Sequence, residues 1–201
     1  MDKLQEIYAF DFDGTLTTHD TLIEITRFAA GKSHVAMWMA LNAPMLVAVK
    51  LGVYPGGMAK EKMLTHFFAD TPEAEFNAMC RDFALKRSDL LRPAGMDAVA
   101  KAVNAGATVL VVSASLDSWV APFFTGFGDK VRILCTRPEV KDGMITGRFA
   151  SANCNGAEKK RRILEMFPDR TSYRLTAFGD SHGDKYMLEM ADEAHYKPFR
   201  Q

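Results

Sequence analysis

The chain has 201 residues, and its 25 Lys and Arg balance its 25 Asp and Glu. This length suits one domain with a substantial insertion or one large domain, and the balanced charge gives no reason to expect a nucleic-acid partner. The three cysteines are scattered without a CxxC pair, so the sequence predicts neither a disulfide framework nor a thiolate zinc site, and it favours a reducing, cytoplasmic location.

The N-terminal part of the chain predicts a strand followed by a helix. The opening MDKLQEIYAF lacks the basic and apolar regions of a secretory signal. Residues 7–10 have the apolar run of a short buried strand, and helical periodicity follows over residues 20–30 with Asp20 as the N-cap. Between them, Asp11 and Asp13 flank Phe12. Because extended chain has a period of two, both carboxylates should lie on the same side.

Residues 33–59 contain one formally charged side chain, that of Lys50. Their apolar centre, residues 35–49, is shorter than the ~20 residues that a membrane-spanning helix needs and is interrupted by Asn42 and Pro44. We therefore predict a pair of helices buried inside a cap. The alternative is a membrane-surface patch, or an apolar groove suited to a lipid-like substrate.

The pattern of predicted elements changes at RPAGM, residues 92–96. Before it, a turn is predicted at residues 54–57 and helices over residues 60–91, with Thr71 as an N-cap candidate before Pro72. After it, helices and strands alternate: helix 97–104, strand 107–115, helix 117–127, strand 131–135, hairpin 139–149, helix 157–167, strand 172–181, helix 184–190 and strand 194–196.

This alternation predicts an α/β fold, a Rossmann-like doubly wound parallel sheet with an inserted, mostly helical cap. The predicted core comprises residues 1–15 and 93–201, and the predicted cap comprises residues 16–92.

Chemically distinctive side chains stand at the ends of three predicted strands. Because ligands of a doubly wound sheet bind beyond the carboxyl ends of its strands, we expect these side chains to converge. The acidic ones offer only oxygen ligands, without Cys or His at metal-ligand spacing, and this chemistry selects a hard cation such as Mg²⁺. The converging residues are Asp11, Asp13, Ser113, Asp180 and Asp184.

A helix beginning near residue 157 carries Lys159 and Lys160 in its first turn. A serine hydroxyl and a fixed positive charge are what a transferring phosphoryl group needs, and Ser113 with one of these lysines supplies them.

Four short segments resemble, in order, the four motifs of the haloacid dehalogenase superfamily of phosphatases: DFDGT, VVSAS, GAEK and GDSHGD. The long insertion directly after the first motif resembles the cap of the phosphoserine-phosphatase-like branch, subfamily IB. The apolar stretch 35–49 is similar in placement to the apolar cap segment of C-type phosphatidylglycerophosphatases, which share this branch.

The resemblance implies a role for each matching residue. Asp11 would attack phosphorus to form an aspartyl-phosphate, and Asp13 would protonate the leaving alcohol and then activate water. Ser113 and Lys159 would hold the transferring oxygens; the family spacing favours Lys159 over Lys160. Mg²⁺ would be bound by Asp11, the Asp13 backbone carbonyl and Asp180.

The remaining candidates lie around these residues. Asp184 would hold the lysine or a metal-bound water. Gly14 and Thr15 would shape a turn whose backbone N–H groups face the phosphate. Asp20 would contact the substrate, cap its helix, or do both. Ala114, next to Ser113, is a further substrate-binding candidate.

We therefore expect a Mg²⁺-dependent phosphomonoester phosphatase that acts on a small phosphorylated metabolite. Phosphoserine itself is disfavoured, because Ala114-Ser115 replaces the usual Gly-Gly and the cap offers Lys60 and Lys62 without an arginine. A lipid phosphate phosphatase and a phosphotransferase with the same intermediate are the alternatives. A non-enzymatic binding module is disfavoured because Asp11, Asp13, Lys159 and Asp180 are all present. A halide-releasing dehalogenase is disfavoured because such family members need no Mg²⁺ and typically lack the second aspartate of the first motif, here Asp13.

Overall fold

Strands and helices alternate along most of the chain. The computed structural model describes residues 4–200, so residues 1–3 and 201 of the predicted core lie outside the described residues. The strands are β1 (Gln5–Phe10), β2 (Thr71–Pro72), β3 (Thr108–Leu116), β4 (Val131–Thr136), β5 (Pro138–Lys141), β6 (Met144–Phe149), β7 (Tyr173–Gly179) and β8 (Glu193–Tyr196). The α-helices are α1 (Thr21–Ala30), α2 (Lys32–Leu41), α3 (Ala43–Lys50), α4 (Gly56–Phe68), α5 (Glu73–Lys86), α6 (Pro93–Asn104), α7 (Asp117–Val120), α8 (Ala157–Met166) and α9 (Lys185–Glu189).

The main sheet is parallel and has five strands in the order β4-β3-β1-β7-β8. Its two faces are both apolar because successive residues of each strand alternate between them: Val109 and Val111 join one buried cluster, and Leu110 and Val112 join the other. The chain moves outward from β1 in both directions, which places a topological switch point beside β1. The predicted Rossmann-like fold class is confirmed.

A second, three-stranded sheet lies outside the main sheet. The predicted hairpin is present as β5 and β6, turning at Asp142 and Gly143, and it pairs antiparallel with the two-residue β2. The pairing of Thr71 with Ile145 joins this hairpin to the helices that precede it in the chain. The division of the chain into a core and a cap at residues 15 and 93 stays a prediction.

The helical segment (residues 21–86) begins as predicted, because the Asp20 side chain accepts hydrogen bonds from the backbone N–H groups of Leu22 and Ile23. Its first and last helices are joined by Glu24, which accepts from Arg27 at 2.7 Å and from Arg87 at 2.8 Å. The two arginines come from α1 and from the residue that follows α5, so this buried carboxylate links the two ends of the segment.

Two local predictions were wrong. The helix predicted over residues 117–127 is a single turn, α7, followed by 3₁₀ turns from Ala121 to Lys130, and Gly128 has a positive φ of 55°. Two glycines within three residues lower the helix propensity of this stretch. Thr71 does not cap a helix but lies in β2, and α5 begins after Pro72 without a side-chain cap.

The apolar stretch forms two helices as predicted, but the prediction that they are buried was wrong. α2 buries only Val35 and Trp38, and α3 buries none of its residues. None of the helices within residues 4–200 has the length and apolar character to cross a membrane.

The carboxylate of Glu24 predicts how stability depends on pH. Burial by itself raises the pKa of Glu24, but hydrogen bonds from Arg87 and Arg27 outweigh it and hold the pKa below its usual value. A lowered folded-state pKa stabilises the protein above the unfolded-state pKa, and this contribution is lost as pH falls through the folded-state value. We expect Glu24→Gln to lower the free energy of unfolding by about 1–3 kcal/mol at pH 7, and by much less below about pH 4, in urea denaturation.

Glu165→Gln is the matched control, because Glu165 pairs with Arg161 on an exposed face and should change the free energy of unfolding by less than about 0.5 kcal/mol. A Glu24→Gln effect that is the same at pH 3.5 and pH 7 would contradict the assigned ion pair.

Candidate active site

The carboxyl ends of β1, β3 and β7 meet at one edge of the main sheet and line a cavity of about 330 Å³. The sequence-predicted residues that line it are Asp11, Asp13, Gly14, Asp20, Ser113, Ala114, Lys159 and Asp180. Five lining residues were not predicted as site residues: Thr18, His19, Lys60, Asn155 and Ser181. Most of the residues that line the cavity are polar or charged, as expected for an oxygen-rich ligand.

Lys159 is buried between two carboxylates. Its Nζ donates to Asp11 Oδ1 at 2.5 Å and to Asp184 Oδ1 at 2.6 Å. Burial by itself lowers the pKa of Lys159, but these carboxylates outweigh it and raise the pKa above its usual value. Lys160, in contrast, is exposed to solvent. The ammonium group of Lys159 is therefore fixed and charged at the floor of the cavity.

The buried position of Asp11 at the end of β1 disfavours the ionised form of its carboxyl group. Burial raises the pKa of its carboxyl group to about 7; Lys159 opposes the shift, and the neighbouring Asp184 and Asp13 add to it. Its second oxygen, Oδ2, accepts a hydrogen bond from Thr15 Oγ1 at 2.9 Å. Both carboxylate oxygens are thus held in position, and added positive charge at the site would favour the ionised form.

Asp184 organises the loop that follows β7. Its Oδ2 accepts hydrogen bonds from the backbone N–H of Asp180 at 3.0 Å, the backbone N–H of Ser181 at 2.9 Å and the Ser181 hydroxyl at 2.9 Å. Burial by itself raises the pKa of Asp184, but Lys159 and these N–H groups outweigh it and lower the pKa. One carboxylate therefore orients both Lys159 and the loop that carries Asp180.

Asp13 is held by four hydrogen bonds. Its Oδ1 accepts from the backbone N–H of Thr21 at 2.7 Å and from the Thr21 hydroxyl at 2.6 Å. Its Oδ2 accepts from Ser115 Oγ at 2.6 Å and from Ser113 Oγ at 3.3 Å. The Trp119 indole N–H donates to the Thr21 hydroxyl at 3.1 Å. Asp13 is thereby oriented by β3 and by the first residue of α1.

Sequence reasoning missed Thr21 and Ser115 as partners of Asp13. Ser115 lies two residues after Ser113 in β3, so the period of a strand could have placed both hydroxyls on one side. Thr21 directly follows the Asp20 N-cap, but nothing in the sequence connects it to the first motif, because that contact depends on how the chain turns between residues 14 and 20.

The turn after Asp13 requires glycine. Gly14 has a positive φ of 79°, and a Cβ there would lie 2.5 Å from Asp180 Oδ2. The turn differs from expectation in two ways. The Gly14 N–H donates to Thr17 Oγ1 at 3.2 Å, and Thr15 is buried behind Asp11, where its hydroxyl orients the carboxylate.

The mouth of the cavity lies between the helical segment and the sheet. Asp20 lines the cavity and also caps α1. Its position is therefore compatible with both of its predicted roles, substrate contact and helix capping. Lys60, in α4, donates to the carbonyl oxygen of Ala114 at 3.4 Å. The helical segment thus brings a cation over the second motif.

A metal ion could be held by a cluster of three carboxylates. Asp11, Asp180 and Asp184 each bring an oxygen to within 4.8 Å of the others. Burial raises the pKa of Asp180, against the opposing charge of Arg200, whose guanidinium donates to it. An all-oxygen set of this kind fits Mg²⁺.

The geometry agrees with a known family. A family model described as haloacid dehalogenase-like hydrolase matches residues 8–189, and the chain therefore belongs to this family. Protein CicA of Caulobacter vibrioides is 37% identical over 200 residues, which cover 96% of this chain and 86% of that protein. A 2-hydroxy-3-keto-5-methylthiopentenyl-1-phosphate phosphatase of Geobacillus thermodenitrificans is 30% identical over 196 residues, which cover 94% of this chain and 82% of that enzyme.

Solved structures share the fold at lower identity. A protein of unknown function from Bordetella pertussis Tohama I superposes with a TM-score of 0.79 at 23% identity, covering 96% of this chain and 89% of that one. A phosphoserine phosphatase with a phospho-aspartyl intermediate analogue has a TM-score of 0.67 at 21% identity, with coverage of 96% and 86%. The chain is a haloacid dehalogenase-like hydrolase, the family that the four motifs resemble, and it shares the fold of phosphoserine phosphatases.

The two lysines of α8 provide a matched test of the site. We expect Lys159→Ala to lower kcat for para-nitrophenyl phosphate by about 10²-fold or more, because it removes the buried cation of the cavity. Lys160→Ala should leave kcat within about twofold, because its side chain points to solvent. Steady-state kinetics with circular dichroism of each variant separate lost catalysis from lost folding, and the reverse ranking would show that Lys159 is the wrong lysine.

Proposed function

We propose that this protein is a Mg²⁺-dependent phosphomonoesterase that forms an aspartyl-phosphate on Asp11. The observation that carries the proposal is the convergence of Asp11, Asp13 and Lys159 in one cavity beside a carboxylate cluster. Two acids with different surroundings can divide one reaction: Asp11 faces the buried ammonium group, whereas Asp13 accepts hydrogen bonds from hydroxyl and amide groups.

In the first step, a carboxylate oxygen of Asp11 attacks phosphorus, and the bond between phosphorus and the ester oxygen breaks. Asp13 gives its proton to the leaving alkoxide. In the second step, Asp13 takes a proton from water as that water attacks phosphorus, and the Asp11 carboxylate is released. Lys159 and the Ser113 hydroxyl stabilise the negative charge on the transferring oxygens in both steps.

The residues proposed to hold Mg²⁺ are Asp11, Asp180 and the backbone carbonyl of Asp13. When bound, the ion would supply positive charge to the converging carboxylates and to the phosphate oxygens. Asp184 has Oδ1 bonded to Lys159 and Oδ2 bonded to the 180–181 loop. We therefore assign it to positioning Lys159 and the loop.

The substrate is proposed to be a small, polar phosphorylated metabolite. The cavity is at the small end of ligand sites, and its outer part carries Thr18, His19, Asn155 and the cation of Lys60. The similarity to the methylthiopentenyl-phosphate phosphatase supports a phosphorylated metabolite of this size. Buried, free cysteines at 80, 135 and 154 support a reducing compartment, and we propose the cytoplasm.

A lipid phosphate phosphatase and a phosphotransferase are the rival functions with the same intermediate. The exposed apolar helices α2 and α3 favour the first of these rivals. Activity on phosphatidylglycerophosphate in mixed micelles, with no turnover of soluble esters, would replace the metabolite proposal. Transfer to an added alcohol in place of phosphate release would identify a phosphotransferase.

The intermediate can be trapped with a variant that forms it but breaks it down slowly. 4-Nitrophenolate leaves without protonation, so Asp13→Asn should still be phosphorylated by para-nitrophenyl phosphate in Mg²⁺, whereas its hydrolysis should slow by about 10²-fold or more. We expect acid quenching and peptide mass spectrometry to find one phosphoryl group on the peptide that contains Asp11. The phosphoryl group should be absent from Asp11→Asn/Asp13→Asn and from samples treated with EDTA. Phosphorylation of another residue would refute the assigned nucleophile.

Lys60 provides a test of substrate recognition. Lys60 lines the cavity from the helical segment. We therefore expect Lys60→Met to raise KM about tenfold for a small phosphorylated metabolite that the parent protein hydrolyses, with little change in kcat. Lys62→Met is the matched control, since this exposed lysine of the same helix does not line the cavity. Equal KM values for the two variants would remove Lys60 from the substrate site.

A further inference from the structure

The helical segment exposes a group of large apolar side chains, which we call the apolar patch. Its members are between 53% and 77% exposed, and they are Met37, Leu41, Val47, Leu51, Val53 and Met58. They occupy the second half of α2, α3, the following loop and the first turn of α4. Six such side chains within 22 residues are a local concentration of exposed apolar surface, whereas a single exposed leucine is ordinary.

The spacing of these residues places them on connected faces. Met37 and Leu41 are four residues apart on α2, and Val47 and Leu51 are four residues apart along α3 and its C-cap. Asn42 alone separates the two helices. α4 starts against α3, because a Cβ at Gly56 would lie 3.7 Å from Val49. The side chains of the apolar patch therefore come from three consecutive helices that contact one another and from the loop between the second and the third.

The charged residues next to the apolar patch in the sequence are cations. Residues 25–60 contain no Asp or Glu, whereas Lys32 and Lys50 are exposed at the start of α2 and the end of α3. Lys62 is also exposed, in α4. Glu61, the nearest acid in that direction, is bound to the backbone N–H of Phe149 and is half-buried. An apolar surface whose neighbouring charges along the chain are mainly cations complements an anionic surface.

We propose that the apolar patch docks on the surface of an anionic lipid bilayer, with Lys32 and Lys50 beside the lipid phosphates. Helices of ten and eight residues are about 15 Å and 12 Å long, far less than the ~30 Å hydrocarbon core, so they lie in the interface and do not span it. Docking concerns the helical segment and holds whether the hydrolysed ester is soluble or a lipid.

A second copy of this chain is the rival occupant. In a two-fold dimer through the apolar patch, both facing surfaces would carry Lys32 and Lys50, and residues 25–60 would supply no acid to pair with them. Like charges facing each other oppose such pairing, whereas phosphate headgroups attract them. The charge pattern therefore favours the bilayer.

Vesicle flotation of the purified protein tests this proposal. We expect binding to vesicles of equal parts phosphatidylglycerol and phosphatidylcholine, and at least about tenfold weaker binding to phosphatidylcholine alone. Leu41→Gln/Leu51→Gln should weaken binding to the anionic vesicles about tenfold or more. Leu85→Gln is the matched control, since Leu85 is 79% exposed but lies on α5, outside the apolar patch. Each variant should hydrolyse para-nitrophenyl phosphate like the parent protein, which confirms its fold.

The charge contribution is tested separately. Lys32→Gln/Lys50→Gln should weaken binding to anionic vesicles about tenfold or more, whereas Lys130→Gln/Lys141→Gln, which removes two exposed lysines elsewhere, should not. No binding by the parent protein, or equal binding to neutral vesicles, would overturn the proposal. So would a dimer in light scattering that Leu41→Gln/Leu51→Gln converts to a monomer, because the patch would then be a contact between copies.

Discussion

The site depends on one buried ammonium group. Lys159 lies between Asp11 and Asp184, and among residues 4–200 it is the one cation that pairs with either of these buried carboxylates. Each carboxylate has a second connection, Asp11 to Thr15 and Asp184 to the loop that carries Asp180. The cation thus connects the end of β1 to the loop after β7, and it does so from the first turn of α8.

The parallel sheet makes this arrangement possible. β1 is the central strand, with β3 on one side and β7 on the other, so three strand ends deliver Asp11, Ser113 and Asp180 to one edge. α1 follows immediately and returns Thr21 to Asp13. The entrance to the helical segment is consequently part of the site, and movement of that segment would alter the contacts of Asp13 as well as the position of Lys60.

Much of the fold and the site could be predicted from the sequence because the chemistry is local to strand ends. The residues flanking Phe12, the serine ending VLVVS and the acids of GDSHGD needed only the rule that parallel strands end together. The choice of Lys159 rested on family spacing, and the structure shows Lys159 buried and Lys160 exposed. The contacts from Thr21 and Ser115 to Asp13 could not be predicted, because they depend on tertiary packing. The apolar stretch was misjudged for a related reason: hydrophobicity predicts burial only when another surface is there to cover it, and the neighbours of α3 within residues 4–200 leave each of its residues at least partly exposed.

If Asp11 is the phosphoryl acceptor of a Mg²⁺-dependent site, as we propose, ¹⁹F NMR with beryllium fluoride should detect it. Beryllium fluoride bound to a carboxylate imitates an acyl-phosphate without turnover. We expect protein-bound fluorine signals that require Mg²⁺ and disappear in Asp11→Asn. Bound signals that persist in Asp11→Asn, or that form equally well in EDTA, would contradict this proposal.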